Sequence, residues 1–424
     1  MENSSRWLLK IKKRSVSEWM LYFVFFYPFL QAALTEWIGV PDIIKFLIDA
    51  CLIYLLIEMF FHPSIYINKS LMPFFALVVI FLFYTLITYF FNFQSPFYYL
   101  WGLRNNFRFY VAFFAFVLLV QWDDVKKWFN ALEFLYVINF FVILVQFFGG
   151  KEQDFLGGIF GVQRGCNGSL VLFLTIIVGK SILEFMRGEG KAIKCFIIAA
   201  SSLLISAMSE LKFFFVIFII ILLLSALMTK QSLKKLLFLI FSAIAIGFFA
   251  SILSAWYKSF DSFLSFENLL NALVNPNYAT DEDIGRFTAI PVISENFLQG
   301  FWDKLFGMGL GNADESSLAI FHTPFYDSYH TFHYSYFSYA MMFLETGFWG
   351  LVLYISFFIM TTVSSVVVYR KGIGEPMFCQ LTTICSIVCI ILTFYNSSLR
   401  SESAYFMFLI LALPFISARR CTRI

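Results

Sequence analysis

Charged side chains are scarce in this chain. Only 13% of its 424 residues are Asp, Glu, Lys or Arg, whereas 60% are hydrophobic and 21% are aromatic. Soluble domains carry about 25% charged and about 45–50% apolar residues, so this composition excludes an ordinary soluble enzyme and a disordered chain. The net charge is only +3 and the basic residues are dispersed, so no nucleic-acid partner is predicted.

Cysteine is also scarce, and the seven residues lie mostly in apolar runs. This distribution argues against a disulfide framework. Cys385 and Cys389 have no His beside them, which argues against a cysteine metal site. The Gly-Met-Gly-Leu-Gly run at residues 307–311 is not followed by Lys-Ser/Thr, which excludes a nucleotide P-loop and favours a turn joining two halves of a loop. No cofactor and no metal are predicted.

Long apolar runs are what the sequence has in abundance. A helix needs about 20 apolar residues to cross a bilayer, and the runs between charge clusters predict about twelve such helices. The fold class is therefore an all-α polytopic integral membrane protein. The predicted spans cover residues 19–38, 43–61, 71–91, 107–121, 130–148, 168–186, 192–208, 211–229, 234–256, 348–369, 377–395 and 402–418.

The distribution of Lys and Arg predicts the orientation of these spans. Residues 331–346 are apolar enough for a thirteenth span, but that span would move Arg370, Lys371 and Arg419 to the outside. Because basic residues favour the cytoplasmic side, we expect twelve spans and cytoplasmic termini. Residues 331–346 are then expected to form a half-inserted or surface helix on the outer side.

This topology divides the chain into three parts. Residues 1–256 hold transmembrane helices 1–9, and residues 257–347 form one large external loop with a membrane-proximal helix, between helices 9 and 10. Residues 348–424 hold helices 10–12 and a cytoplasmic tail. Long loops are often functional, and the apolar spacing in this one favours an ordered lid.

Five arginines fall on the predicted outer side, where the charge bias disfavours them. Arginine grips phosphate with two parallel hydrogen bonds, so these residues are candidate ligands for a lipid-carried pyrophosphate. Arg286 is the strongest candidate because it opens a helix-like stretch of the large loop. The alternatives are snorkelling to the membrane surface and pairing with Asp or Glu. The five are Arg104, Arg108, Arg164, Arg286 and Arg400.

Three of the four histidines lie near the end of the large loop. His330 and His333 are spaced i, i+3, which predicts one helix face that Tyr334 and Phe337 continue. A histidine with a near-neutral pKa can take a proton from a sugar hydroxyl. Zinc binding with Asp327 is the rival use, although the usual i, i+4 spacing with an intervening Glu is absent. The three are His322, His330 and His333.

Three ionisable residues fall inside predicted spans, where a charge is costly. Asp49, Glu58 and Lys180 must face protein or water. Structural pairing is the expected role, and an ion path across the membrane is the alternative.

Three stretches resemble the bacterial O-antigen polymerase and O-antigen ligase superfamily, the Wzy-type polymerases and their ligase relatives. The first is Gly285-Arg286 followed by the glycine run at residues 306–311. The second is His333-Tyr334-Ser335-Tyr336-Phe337 running into residues 345–351, and the third is the turn at residues 209–212. About twelve spans with one large external loop late in the chain also agree with that family.

The resemblance implies a glycosyltransferase that acts on an undecaprenyl-pyrophosphate-linked oligosaccharide at the outer face of the bacterial inner membrane. A polymerase would join repeat units into O-antigen or capsule, and a ligase would pass the glycan to lipid A core. A chain-length regulator and a flippase are candidate partners, besides membrane lipid. A membrane transporter is the remaining alternative.

The resemblance also implies roles for individual residues. Arg286 would stabilise the departing pyrophosphate, and His330 or His333 would serve as the base or orient the acceptor. The remaining candidates would bind the pyrophosphate or the glycan: Arg164, Lys212, Arg104, Arg108, Arg400 and Glu345.

Overall fold

The computed structural model describes residues 15–61, 70–163, 165–230, 232–256, 284–316 and 318–421, and in these ranges the chain forms helices and turns without strands. The α-helices are α1 (Val16–Ala32), α2 (Phe46–Phe61), α3 (Met72–Phe91), α4 (Pro96–Leu119), α5 (Trp122–Phe148), α6 (Cys166–Arg187), α7 (Ala192–Met208), α8 (Lys212–Leu227), α9 (Leu233–Trp256), α10 (Ala289–Asn296), α11 (Phe301–Phe306), α12 (Pro324–Tyr329), α13 (Ser338–Arg370), α14 (Pro376–Tyr395) and α15 (Ala404–Cys421).

The prediction of an all-helical fold is confirmed for the described residues, and this fold is compatible with a helical membrane protein. Every predicted span overlaps one of these helices. Six helices, α3, α5, α6, α9, α13 and α14, are long and apolar enough to cross a membrane by length and composition. The number of twelve spans stays a prediction.

One predicted span was placed too late in the chain. Helix α4 begins at Pro96, not near residue 107, because proline suits the first turn of a helix, where no backbone N–H is needed. Arg104 was expected in the connection before this span, and Arg108 in its first turn. They lie instead on the first half of α4.

The expected helix over residues 331–346 is wrong in its bounds and in its exposure. The chain forms short 3-10 turns up to Tyr336, and the helix begins only at Ser338. Its first part, up to a kink at Gly347, is buried and does not form a surface helix. The side chains of this part are small or apolar apart from Glu345, so burial stabilises them.

Polar contacts define the two ends of the bundle. Arg108 in α4 pairs with Glu402, just before α15, and Arg419 in α15 donates to the carbonyl oxygens of Val117 and Leu118 in α4. Helices α4 and α15 are therefore parallel. We call the end with Arg108 and Glu402 the loop end, because the described part of residues 284–337 packs there. Most of the basic residues that were predicted to be cytoplasmic, and that the structure describes, lie at the opposite end.

The glycine run forms a tight turn at the loop end. The N–H groups of Met308 and Gly309 donate to the carbonyl oxygens of Leu344 and Glu345, at distances of 3.0 and 2.9 Å, and so cap the buried helix before the kink. Gly311 (φ +88°) approaches α4 so closely that a Cβ atom there would overlap the carbonyl oxygen of Tyr98. The predicted turn is present, and it fastens the loop to α4.

We expect Gly311→Ala to destabilise the protein, because alanine would adopt a strained left-handed backbone and collide with α4. The backbone strain alone costs about 1–3 kcal/mol. The measurement is the midpoint of thermal unfolding of the detergent-purified protein. Gly247→Ala is the matched control, since a Cβ atom there meets nothing within 4 Å. Equal midpoints for the two variants would contradict the assigned contact.

Candidate functional site

A network of ion pairs begins on the first half of α4. Arg104 Nε lies 3.0 Å from Asp49 Oδ2 of α2, and Arg108 Nη1 lies 2.7 Å from Glu402 Oε1. The rings of Phe46 and Trp101 flank the Arg104 guanidinium at 5.1 and 5.0 Å. The predicted structural pairing of Asp49 is therefore observed.

The same network reaches the loop through Arg400. Arg400 Nη2 lies 2.7 Å from Asp314 Oδ1, and the side-chain amide of Asn105 donates to Asp314 Oδ2 at 2.9 Å. The N–H of Ala313 donates to Glu345 Oε1 at 3.2 Å, and the Glu345 side chain is fully buried. Four of the predicted site residues thus converge here: Arg104, Arg108, Arg400 and Glu345.

Each of the three arginines in this network has a carboxylate partner. Burial alone would raise the pKa of the Glu402 carboxyl, but the charge and the hydrogen bond of Arg108 outweigh it and hold that pKa below its usual range. Burial would lower the pKa of Arg400, yet Asp314 and Glu345 raise it above its ordinary value. These arginines have protein carboxylates as partners, so the pairing alternative describes them best.

Arg286 has different surroundings. Its guanidinium lies 4.9 Å from the ring centre of Tyr395 and 5.8 Å from that of Phe337. Its Nε is buried without a hydrogen-bond partner, and no carboxylate of the described residues is within ion-pair distance. A cation held by aromatic faces keeps its charge available for an anion.

Lys212 is the residue before Phe213, which contacts the ring of Tyr395. The ring of Phe213 stacks on Tyr395 with centres 3.7 Å apart, on the helix that Lys212 begins. Lys212 Nζ lies 2.7 Å from Glu210 Oε1. Arg286 therefore lies on the Tyr395 ring, and Lys212 precedes the phenylalanine that stacks on the same ring.

The predicted helix face with His330 and His333 is wrong. His333 adopts a left-handed backbone (φ +56°) that ends the 3-10 turn of His330, so the two imidazoles do not share a helix face. Tyr334 and Phe337, expected to continue that face, are buried. A left-handed residue interrupts the i, i+3 relation that the spacing assumes.

The histidine turn nevertheless lies beside Arg286. The N–H of Ile284 donates to the carbonyl oxygen of Phe332 at 3.2 Å, and the Tyr339 hydroxyl donates to the carbonyl oxygen of Arg286. His330 Nδ1 lies 3.0 Å from the carbonyl oxygen of Tyr326. That bond requires the proton on Nδ1 and leaves Nε2 as an acceptor, which suits a base.

His322 occupies a separate position in the loop. Its Nδ1 lies 3.1 Å from the carbonyl oxygen of Ser316, and its Nε2 lies 2.5 Å from Asp327 Oδ1. The Ser316 carbonyl first and the Asp327 carboxylate second raise the pKa of His322. Both nitrogens have acceptors, so the protonated ring is favoured. No group of three or more His, Cys, Asp or Glu in the described ranges is arranged for a metal ion.

Three partners in these clusters were not singled out by the sequence: Asp314, Glu402 and Tyr395. Glu402 lies two residues after Arg400 in a short connection between helices. This position is a weak sequence signal that Glu402 takes part in the same cluster. Arg164, predicted to bind pyrophosphate, lies outside the described residues.

Comparison of the chain with protein-family models, curated proteins and solved structures found no match.

The pair Arg400–Asp314 yields a stability prediction. Arg400→Met leaves a buried carboxylate without its partner, which typically costs about 3–5 kcal/mol, and Asp314→Leu should cost a similar amount. The double variant should be less destabilised than the sum of the two, because it removes both charges. Thermal unfolding of the four purified proteins measures this coupling. Simple additivity would contradict the pairing.

The contacts of His322 yield a pH prediction. Its pKa is higher in the folded chain than the ordinary value near 6.5, so its stabilising effect is complete below that pH and is lost as pH rises through the folded pKa. Asp327→Asn should move the titration midpoint down, towards but not fully to the ordinary value, because the Ser316 carbonyl remains. NMR of labelled histidine measures both midpoints. Glu295→Gln, also in the loop, is the control and should leave the midpoint unchanged.

Proposed function

We propose that the chain is a membrane-embedded glycosyltransferase that joins polyprenyl-pyrophosphate-linked oligosaccharide repeat units into O-antigen or capsule. The reaction would take place at the outer face of the bacterial inner membrane, on the loop end of the bundle. The observation that supports this most is the setting of Arg286, an arginine on aromatic faces without a carboxylate partner in the described residues. Lys212 and the histidine turn adjoin it.

The chemistry needs a cation where the pyrophosphate departs. The acceptor hydroxyl oxygen bonds to the anomeric carbon of the donor sugar, and the bond from that carbon to the pyrophosphate oxygen breaks. The electron pair leaves with the polyprenyl pyrophosphate, whose charge Arg286 would stabilise, with a smaller contribution from Lys212 because Lys212 is paired with Glu210. The hydroxyl proton would pass to His330 Nε2, or His333 would take this role.

The ion-pair network has a positioning role in this proposal. Arg104, Arg108 and Arg400 are matched by carboxylates, so they would not provide the charge for the leaving group. Arg400 holds Asp314 next to the glycine turn, while Arg104 joins α4 to α2 and Arg108 joins α4 to the segment before α15. Glu345 would act in the same way, through Ala313.

The alternatives make different demands on the same residues. An O-antigen ligase needs the same leaving-group cation but uses lipid A core as its acceptor. A transporter needs a path of ionisable groups across the membrane. Asp49 pairs with Arg104 at the loop end, whereas Lys180 pairs with Glu133 at the opposite end, which favours structural roles for both.

We expect Arg286→Ala to slow chain growth by about 100-fold or more, the effect of removing one preorganised charge donor from a transition state. Arg286→Lys should be intermediate, because it keeps the charge without the planar fork. Purified protein in liposomes is given lipid-pyrophosphate repeat units, and glycan length is measured on a gel. Arg370→Ala, an exposed arginine at the opposite end, is the control and should retain the ladder.

Two results would contradict the polymerase. A product that appears only after lipid A core is added would indicate a ligase. Absence of transfer with either acceptor, from a protein whose unfolding midpoint is normal, would contradict the glycosyltransferase and favour the transporter.

A further inference from the structure

Large aromatic side chains are exposed in a strip at the loop end. Two lie on the short helix α11, two follow the kink in α13, and two lie at the end of α3 or just after it. Their exposed fractions are 69% for Phe301, 57% for Trp302, 49% for Phe348, 51% for Trp349, 43% for Phe91 and 96% for Phe93. We call these six residues the aromatic strip.

Helix α11 is fixed in place by contacts on its inner side. The Tyr84 hydroxyl of α3 donates to the carbonyl oxygens of Leu305 and Thr346, at 2.6 and 2.8 Å. The ring of Phe306 lies 5.1 Å from that of Phe91, and Trp302 stacks on Phe306 at 5.9 Å. Because α11 is held from both α3 and the kink, its exposed aromatic rings are presented outward.

The strip continues the lipid-facing surface of α3. The most apolar 18-residue stretch of that helix has a mean hydropathy of 2.4, and only 22% of that stretch is buried in the protein. Its outward side chains include Ile80, Phe83, Ile87 and Phe90, all more than half exposed. An exposed apolar helix face with exposed Trp and Phe side chains at its end is typical of the boundary between hydrocarbon and headgroups.

The charges of α11 fit the same depth. Asp303 accepts a hydrogen bond from the N–H of Gly300 at 3.0 Å, and Lys304 follows it. These groups need water or headgroups, while Phe301 and Trp302 would form an unfavourable apolar patch in water. A helix with both requirements is suited to the membrane interface.

We propose that α11 is an interfacial anchor and that the aromatic strip binds the phospholipids of the leaflet at the loop end. The occupant is the glycerol and upper acyl region of ordinary phospholipid. This inference does not rest on the proposed glycosyltransferase activity.

The experiment measures the depth of spin labels in phosphatidylethanolamine–phosphatidylglycerol liposomes. Phe301→Cys and Trp302→Cys are each labelled in the full chain, and collision rates with oxygen and with a water-soluble nickel chelate are measured. Phe83→Cys, on the exposed middle of α3, marks the hydrocarbon, and Ser328→Cys, exposed on α12, marks water. The unsubstituted protein supplies the background signal, and six of its cysteines, Cys51, Cys166, Cys195, Cys379, Cys385 and Cys389, are buried.

We expect the ratio of oxygen to nickel collisions at Phe301 and Trp302 to be several-fold above that at Ser328 and below that at Phe83. Nickel access equal to that at Ser328 would overturn the proposal by placing α11 in water. Protection from both reagents would also overturn it, because another part of the chain would then cover the strip. The Phe83 label shows in each case that the bundle is folded and inserted.

Discussion

A buried charge in this bundle is costly unless a neighbouring group of opposite charge compensates it. Arg108 is almost fully buried, and its bond to Glu402 offsets the large cost of removing a guanidinium from water. The compensation is mutual, since the same guanidinium keeps the Glu402 carboxyl ionised. Arg400 and Asp314 repeat the arrangement between a helix connection and the loop. Helices α2, α4 and α15 and the glycine turn are thereby joined at one end by charge.

This constraint separates the arginines of the loop end into two kinds. Arg104, Arg108 and Arg400 have carboxylate partners and hold the fold together, whereas Arg286 lies on the rings of Tyr395 and Phe337. The first kind gains stability from its carboxylate partners, and the second has no carboxylate partner among the described residues. An anionic substrate would gain little from the first kind and much from the second. The two clusters are adjacent because Arg400 and Tyr395 belong to the same short stretch of chain.

The sequence predicted the helices well because an apolar run of sufficient length permits little else in lipid. It also selected Arg104, Arg108 and Arg400, since arginine on the disfavoured side requires a reason. It did not identify their partners, because Arg108 and Glu402 are 294 positions apart and no local spacing relates them. The prediction that His330 and His333 share a helix face was wrong because His333 has a left-handed backbone conformation. No feature of the side chains indicates that conformation. The early start of α4 was detectable, since Pro96 is a common first residue of a helix.

The contacts between α3, α4 and the loop also bear on how the chain is made. Tyr84 donates to the carbonyl oxygen of Leu305, 221 positions later, and Asn105 donates to Asp314, 209 positions later. At ribosomal rates of about 5–20 residues per second, α3 and α4 are synthesised roughly 10 to 40 seconds before these partners. The partners of these two early helices are thus encoded in the second half of the chain. Synthesis therefore passes through a stage in which Tyr84 and Asn105 lack these two hydrogen-bond acceptors.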